Sequence, residues 1–191
     1  MYNRVFATIA GFIAMAFVIA SYFVKKKQYY LLCQLICIVF LVVSYFFTTQ
    51  FFAMIGLSIG LFRTATFYIY EKKEKVAPII WSFVFAGATV LSYFVVNLMI
   101  LKTAQPLDIL CMTGLSLYAF IFRIRNLKIV RYTMLCPTTL SVLFNVLTKT
   151  TIFATATYVF ELCANIVSIL KYHVFNKVET QKQIEDVSNN N

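Results

Sequence analysis

Two ionisable residues, Arg63 and Glu161, lie inside long apolar segments of the sequence, where charged side chains are rare. A guanidinium can hold an anion through several hydrogen bonds, and a carboxylate can hold a cation or accept a proton. Charges deep in a membrane are costly unless they are paired or hydrated, so they usually mark functional positions. We predict that Arg63 and Glu161 form an ion pair or a polar lining that binds a solute. The structural alternatives are an ion pair without function, or an Arg63 side chain that extends to the lipid headgroups.

Two amide side chains, Asn165 and Asn145, are the next candidates for a binding site. An amide offers donors and acceptors without charge, which suits a solute with hydroxyl or amide groups. Asn165 lies one helical turn beyond Glu161, so the two side chains share a face of one helix. The alternative for each amide is a hydrogen bond between helices, worth about 0.6 kcal/mol on average in membrane proteins. Gln34 and Asn97 rank below them on the same argument.

No set of residues in the sequence has the spacing of a catalytic or metal-binding site. The single histidine, His173, lies beside Lys171 and has no partner nucleophile at a readable spacing. The five cysteines fall within apolar segments and form no C-x-x-C pair, which indicates neither a disulfide framework nor a zinc site. The net charge of +10 comes from short clusters rather than one basic face. We therefore predict a protein that is not an enzyme and binds no metal, cofactor or nucleic acid.

The composition requires these residues to be positioned by membrane helices. A chain of 191 residues that is 61% hydrophobic and 13% charged has too little polar surface to cover a soluble core. A membrane helix needs about 20 mostly apolar residues. By that length the sequence predicts seven spans: Val5–Val24, Tyr29–Phe47, Phe51–Tyr70, Val76–Leu101, Pro106–Phe122, Tyr132–Thr148 and Thr150–Tyr172. The fifth and sixth segments are short, and an alternative reading has five spans.

The basic residues predict how the chain sits in the membrane. Thirteen of the 17 Lys and Arg residues follow the first, third, fifth and seventh segments, whereas the other gaps hold only Arg4, Lys102 and Lys149. Loops rich in Lys and Arg stay in the cytoplasm. We therefore predict an N-terminus outside and a C-terminus in the cytoplasm.

The order of loops also predicts an internal repeat. At an offset of 98 residues Lys25 aligns with Arg123, and Arg63 aligns with Glu161. The predicted fold is an all-α polytopic membrane protein in a 3+1+3 arrangement of two parallel triple-helix repeats. The units are a first repeat over 1–75, a linker helix over 76–105, a second repeat over 106–175 and a disordered cytoplasmic tail over 176–191.

Two stretches of the sequence resemble a known family. The segment LSIGLFRTATFYI, Leu57–Ile69, and the segment Ser141–Tyr172 are similar to the two halves of the bacterial YgjV-type inner membrane proteins. That family has an Arg-Thr inside its third helix, an Asn before a tight turn and an Asn-Ile near the last basic residue. The resemblance implies a bacterial inner membrane protein with a helix arrangement similar to that of SWEET, PQ-loop and nicotinamide-riboside transporters. The chain lacks the Pro-Gln pair of PQ-loop proteins and has only Pro137 inside a span, which argues against a sugar as the solute.

These features together favour a small secondary transporter or facilitator of a polar metabolite. Its site would contain Arg63, Glu161, Asn165 and Asn145. The competing hypothesis is a membrane scaffold or accessory subunit that has the same fold but transports nothing. The expected partners are the lipid bilayer and a small polar solute, and the sequence is compatible with both a monomer and a homo-oligomer.

Overall fold

The fold consists of α-helices connected by short loops. The computed structural model describes residues 2–47, 51–95, 107–147 and 152–175, with side chains in 5–47, 54–95, 107–147 and 155–172. The described residues form seven α-helices and no β-strand: α1 Tyr2–Phe23, α2 Lys27–Phe47, α3 Phe51–Lys72, α4 Ile79–Ser92, α5 Asp108–Ile121, α6 Leu127–Leu147 and α7 Ile152–Ile169. A π-helical turn, Leu170–Phe175, follows α7. The all-α prediction with seven helices is confirmed for this part of the chain.

Helix α2 illustrates why these segments are helical and which face each one buries. Its buried residues recur every three or four positions and so form one stripe: Lys27, Tyr30, Leu31, Gln34, Cys37 and Ile38. The opposite face is also apolar, because Val39, Val43 and Phe46 are exposed. A helix that is apolar on its outer face as well as its inner face is suited to contact with lipid.

Three helices are long and apolar enough, by length and composition alone, to cross a membrane. They span Val5–Phe23, Lys27–Phe47 and Leu127–Leu147. The described segments Ile79–Val95 and Asp108–Ile121 are apolar but shorter. The chain is therefore an α-helical membrane protein.

Packing between helices follows the chain order and closes into a ring. Each helix packs against the next one along the chain, and α7 packs against α1. A smaller contact joins α3 to α5 across the position of α4. Side chains that point into this ring, including Tyr22, Tyr30, Phe67, Phe122 and Met134, form the buried core.

Helix α6 begins at Leu127 and not at the predicted Tyr132. The side chain of Asn126 accepts a hydrogen bond from the backbone N–H of Lys128 at 2.9 Å, which caps the first turn. Hydropathy underestimated this helix because it continues past its apolar part and includes Lys128 and Arg131. Several predicted features lie outside the described residues. They are the end of the fourth segment with its loop over 96–106, the two tight turns at 48–50 and Lys149, and the tail over 176–191.

The end of α3 is stopped by a turn that positions the next element. Glu74 has a positive φ of 54°. Its N–H donates to the Glu71 carbonyl, and the Lys75 N–H donates to the Tyr70 carbonyl, each at 3.0 Å. This is the Schellman pattern, in which glycine usually occupies the left-handed position. The turn holds Glu71 at the rim of the bundle.

Candidate functional site

Helices α3 and α7 place Arg63 and Glu161 inside the ring of helices. Each residue is only 4% exposed. Helix α3 packs against α2, α4 and α5, whereas α7 packs against α6 and α1. The two charges therefore come from opposite arcs of the ring.

The Glu161 carboxylate is bound by neutral hydrogen-bond donors. The hydroxyl of Tyr22 on α1 donates to Glu161 Oε1 at 2.8 Å. Gln34 on α2 also lies close enough to interact with the carboxylate, and its Nε2 donates to Ser21 Oγ at 3.1 Å. Hydrogen bonds to a charged group are roughly twice as strong as neutral ones, so they offset part of the cost of burying this carboxylate.

The Arg63 guanidinium is bound by a carbonyl and by aromatic rings. Its Nη1 donates to the Leu115 carbonyl on α5 at 2.7 Å. Its central carbon lies 5.3 Å from the ring centre of Tyr118 and 5.4 Å from that of Phe122. Such cation–π contacts contribute about 0.5–2 kcal/mol each, and most when they are shielded from water.

Because Gly60 on the same helix has no side chain, the guanidinium of Arg63 can lie against it. The Arg63 Nη2 atom lies 3.5 Å from the point that a Cβ on Gly60 would occupy. Long side chains on a helix turn back toward its N-terminus. The charge of Arg63 is therefore close to the level of Gly60, about one turn before its own backbone.

Arg63 and Glu161 are not in direct contact. Among the described residues, the ion pair joins Lys27 to Glu71, and no Arg63 nitrogen lies within 4.0 Å of a Glu161 oxygen. The Arg63 side chain also does not extend to the rim, because it is buried between α3 and α5. Neither the predicted direct ion pair nor the snorkelling alternative describes this arrangement.

A row of aromatic rings connects the two charges. The ring of Tyr22, whose hydroxyl binds Glu161, lies 5.6 Å from that of Tyr30. The Tyr30 ring lies 6.2 Å from that of Phe122, which in turn contacts Arg63. Both intervals are edge-to-face contacts. The centre of the ring of helices is thus an aromatic layer with a carboxylate at one end and a guanidinium at the other.

Several polar atoms in this layer are buried without a hydrogen-bonding partner. They include Nε of Arg63 and, one helical turn from Glu161, Oδ1 of Asn165. The hydroxyl of Tyr30 lies beside that of Tyr22 but completes no hydrogen bond of acceptable geometry. A buried polar atom that makes no hydrogen bond costs about 1–3 kcal/mol. Such atoms are rare in folded proteins unless a ligand or water can use them.

The two predicted amides have different positions. Asn165 is fully buried, and its Nδ2 donates to the Arg131 carbonyl on α6 at 2.9 Å. Asn145 is buried in α6 and donates to the Ser141 carbonyl at 2.7 Å, which is a bond within its own helix. Asn165 thus links α7 to α6 one turn from Glu161, whereas the bond from Asn145 to the Ser141 carbonyl is local.

The tyrosines of the site are not among the residues predicted from the sequence, because tyrosine also occurs at the ends of membrane helices as an interfacial anchor. A signal for Tyr22 was present in the sequence. Ala10, Ala14 and Val18 precede it at spacings of four residues, and all three are buried on the same face of α1. An aromatic residue that continues a stripe of small residues is predicted to point inward.

One end of the bundle has a basic cleft next to this layer. It is lined by the basic residues Lys27, Lys75, Arg123 and Arg125, together with Glu71, Phe67 and Phe122. Lys27 Nζ and Glu71 Oε2 form an ion pair of 2.9 Å. The ring of Phe122 lines the cleft and also contacts Arg63, so the cleft and the buried guanidinium share one aromatic neighbour.

The arrangement provides binding chemistry. Within the described ranges, no three His, Cys, Asp or Glu side chains come together in a way that could hold a metal ion. The site contains one positive and one negative side chain that are not in contact, and hydrogen-bonding atoms without partners lie between them. Such a layer can bind a polar molecule through charge and hydrogen bonds.

Comparison with known proteins identifies the family. The family Imp-YgjV, described as a bacterial inner membrane protein, matches residues 5–175. No curated protein and no solved structure matched the chain. The matched range contains Arg63 and Glu161 and reaches from α1 to the π-helical turn. The predicted relationship to the YgjV-type proteins is confirmed, and the chain belongs to this family of bacterial inner membrane proteins.

Proposed function

We propose that the protein is a small secondary transporter or facilitator of a polar solute, and that it has no catalytic activity. The observation that carries this proposal is the aromatic layer, in which Arg63 and Glu161 are buried without direct counter-ions. Burying an unpaired charge destabilises a fold by several kcal/mol. A protein that only fills a membrane or holds a partner gains nothing from that cost, whereas a transporter uses it to bind its solute.

We propose further that all seven helices cross the membrane, with the N-terminus outside and the C-terminus in the cytoplasm. The predicted cytoplasmic loops converge at one end of the bundle, which supports this orientation. Lys27, Lys75 and Arg125, from three of those loops, line one cleft. Lys171, from the fourth, lies 5.9 Å from the ring of Phe23 at the end of α1. A basic end of this kind is expected to face the cytoplasm.

The burial pattern supports two parallel repeats, but at an offset different from the predicted 98. In α2 and α6 the offset is 100, with five pairs of buried residues: Tyr30 and Val130, Leu31 and Arg131, Gln34 and Met134, Cys37 and Pro137, Ile38 and Thr138. In α3 and α7 it is 101, with four pairs: Gly60 and Glu161, Arg63 and Ala164, Thr64 and Asn165, Phe67 and Ser168. Helices α3 and α7 also begin 101 residues apart.

At this offset Glu161 aligns with Gly60, not with Arg63. Arg63 and Glu161 can still form one site, because the Arg63 guanidinium folds back to the level of Gly60 along the helix axis. The two charges, rather than the two backbone positions, would then occupy equivalent places in the two repeats. A pseudo-twofold site with opposite charges in its two halves would be the result.

Access from water tests the transport proposal. In a variant without native cysteines, Thr138→Cys would place a thiol beside Tyr118 of the aromatic layer, and Val167→Cys would place one on an exposed face of α7. We expect a membrane-impermeant thiol reagent to label residue 138 from either side of the membrane, since a transporter opens alternately. Residue 167 should remain unlabelled, because it faces lipid.

The result that contradicts the proposal is a residue 138 that is labelled from neither side. A sealed layer of that kind would favour the scaffold hypothesis. Labelling from one side only would indicate a receptor-like pocket without a path, and would also reject transport.

A further inference from the structure

The aromatic layer lacks a hydrogen-bond acceptor for Arg63 at one end and a cation for Glu161 at the other, and a ligand could supply both. At one end Arg63 donates to a backbone carbonyl through Nη1, but its buried Nε has no acceptor. At the other end the Glu161 carboxylate has hydrogen-bond donors but no cation within 4.0 Å among the described residues. A neutral polyol would leave both charges without a counter-ion. An anion or a cation alone would neutralise only one of them.

Both ends have the chemistry to hold a specific group. A carboxylate could accept a hydrogen bond from Arg63 Nε, which is buried and has no other acceptor. An ammonium could pair with Glu161 and lie against the face of a neighbouring tyrosine. Tyr22 and Tyr30 provide those rings.

The basic cleft adds a separate observation about which end of the solute would enter first. Four basic side chains and one acidic side chain line it, so its field attracts an acidic group. The ring of Phe122 lines the cleft and also contacts Arg63, so an acidic group that enters from the cleft would approach Arg63 along this ring.

From these contacts we infer that the solute is a small zwitterion, with its acidic group bound by Arg63 and its basic group bound by Glu161. This inference depends on the proposed transport function only for the route by which the solute reaches the layer. Since both residues are 4% exposed, the described conformation is a closed one. Binding of the solute would therefore require the layer to open.

A series of ω-amino acids tests the inference in purified protein held in lipid nanodiscs. Glycine, β-alanine, 4-aminobutyrate, 5-aminovalerate and 6-aminohexanoate place the two charges at increasing separations. A ligand that binds the folded state raises Tm with its concentration. We expect one chain length to give the largest rise. The carboxylic acid and the amine of the same length should give little or none.

Two variants locate the binding groups. Arg63→Gln and Glu161→Gln should each weaken the apparent affinity for the best amino acid at least about tenfold, as expected for the loss of one charge-assisted contact. Glu161→Gln should also remove the preference for the amino acid over the acid of the same length. The matched control is Lys73→Gln, which removes a charge from the exposed turn after α3 and should leave binding unchanged.

The inference is overturned if the acid alone stabilises the protein as well as the amino acid does, or if no member of the series has an effect. Uptake of the best amino acid into liposomes separates this inference from the transport proposal. Binding without uptake would keep the zwitterion site and reject transport. Labelling of residue 138 from both sides without any binding of amino acids would keep transport and reject the zwitterion.

Discussion

The protein contains two pairs of opposite charges that are arranged in different ways. At the rim of the bundle Lys27 and Glu71 are in contact at 2.9 Å, with side chains that are 6% and 17% exposed. In the centre Arg63 and Glu161 are both buried, but aromatic rings hold them apart. At the rim the two charges neutralise each other and stabilise the contact between α2 and α3. The central charges are stabilised by neutral groups and so remain able to bind something else.

The strongest test of this contrast removes one charge from each pair. Glu161→Gln should reduce flux of the best amino acid about ten- to hundredfold, since a charged contact to the solute is worth about 1.5–3 kcal/mol. It should leave the Tm unchanged or higher, because the uncompensated charge is gone. Glu71→Gln should lower the Tm and retain flux. Liposome uptake and thermal unfolding of both variants measure this, and the reverse pattern would show that the functional charges are at the rim.

The hydrogen bond that holds the Glu161 carboxylate gives the next largest effect. Tyr22→Phe removes the only hydroxyl that donates to Glu161 Oε1 among the described contacts. We expect it to destabilise the protein by about 1.5–3 kcal/mol, because the carboxylate would lose a charge-assisted bond while it stays buried. Equilibrium unfolding in detergent checks the value. Tyr29→Phe is the matched control, since Tyr29 is exposed on α2. Equal effects of the two substitutions would argue against the assigned role of Tyr22.

Double-mutant cycles compare the two pairs directly. For Lys27→Met and Glu71→Gln, we expect a coupling energy of about 0.5–3 kcal/mol, because these residues are in contact. For Arg63→Met and Glu161→Gln, the coupling should be smaller, since no atoms of the two charged groups meet. Unfolding free energies of the four variants in each cycle give both numbers. A larger coupling in the centre would mean that the two charges pair directly in the membrane.

The smallest effect concerns the turn that holds Glu71 at the rim. Glu74→Gly should stabilise the protein by up to about 1 kcal/mol, because glycine adopts the positive φ of this position without steric cost. Lys73→Gly, at the neighbouring position without a positive φ, should destabilise it instead. The measurement is the Tm of each variant relative to that of the original protein. Stabilisation by both would indicate that flexibility, and not backbone conformation, is responsible.

Local features were predictable from the sequence. Hydropathy identified the seven helices, and the rarity of charge in apolar segments identified Arg63 and Glu161 as buried residues. The tyrosines of the centre were not predicted, since the same residue type also anchors helices at the membrane surface. Which helices become neighbours was not predictable either. Whether Arg63 meets Glu161 depends on the order of helices around the ring, and α3 and α7 lie in opposite arcs.

The register of the proposed repeat shows the same limit. Loop charges suggested an offset of 98, whereas buried faces match at 100 and 101. Charged residues in loops can move by several positions without consequence. A buried stripe cannot, because a shift of one residue rotates each side chain by about 100° around the helix axis.

The contact between α7 and α1 has a consequence for how the protein is made. The last described helix holds the first one through three bonds, from Tyr22 to Glu161, from Ser168 to the Tyr22 carbonyl and from Tyr172 to the Phe23 carbonyl. Because the chain is synthesised from its N-terminus, α1 is inserted into the membrane before α7 is available to contact it. Until then the hydroxyl of Tyr22 has no carboxylate to bind. A ribosome-bound chain that ends before α7 would therefore be an open bundle, and the site would be complete only after α7 has been inserted.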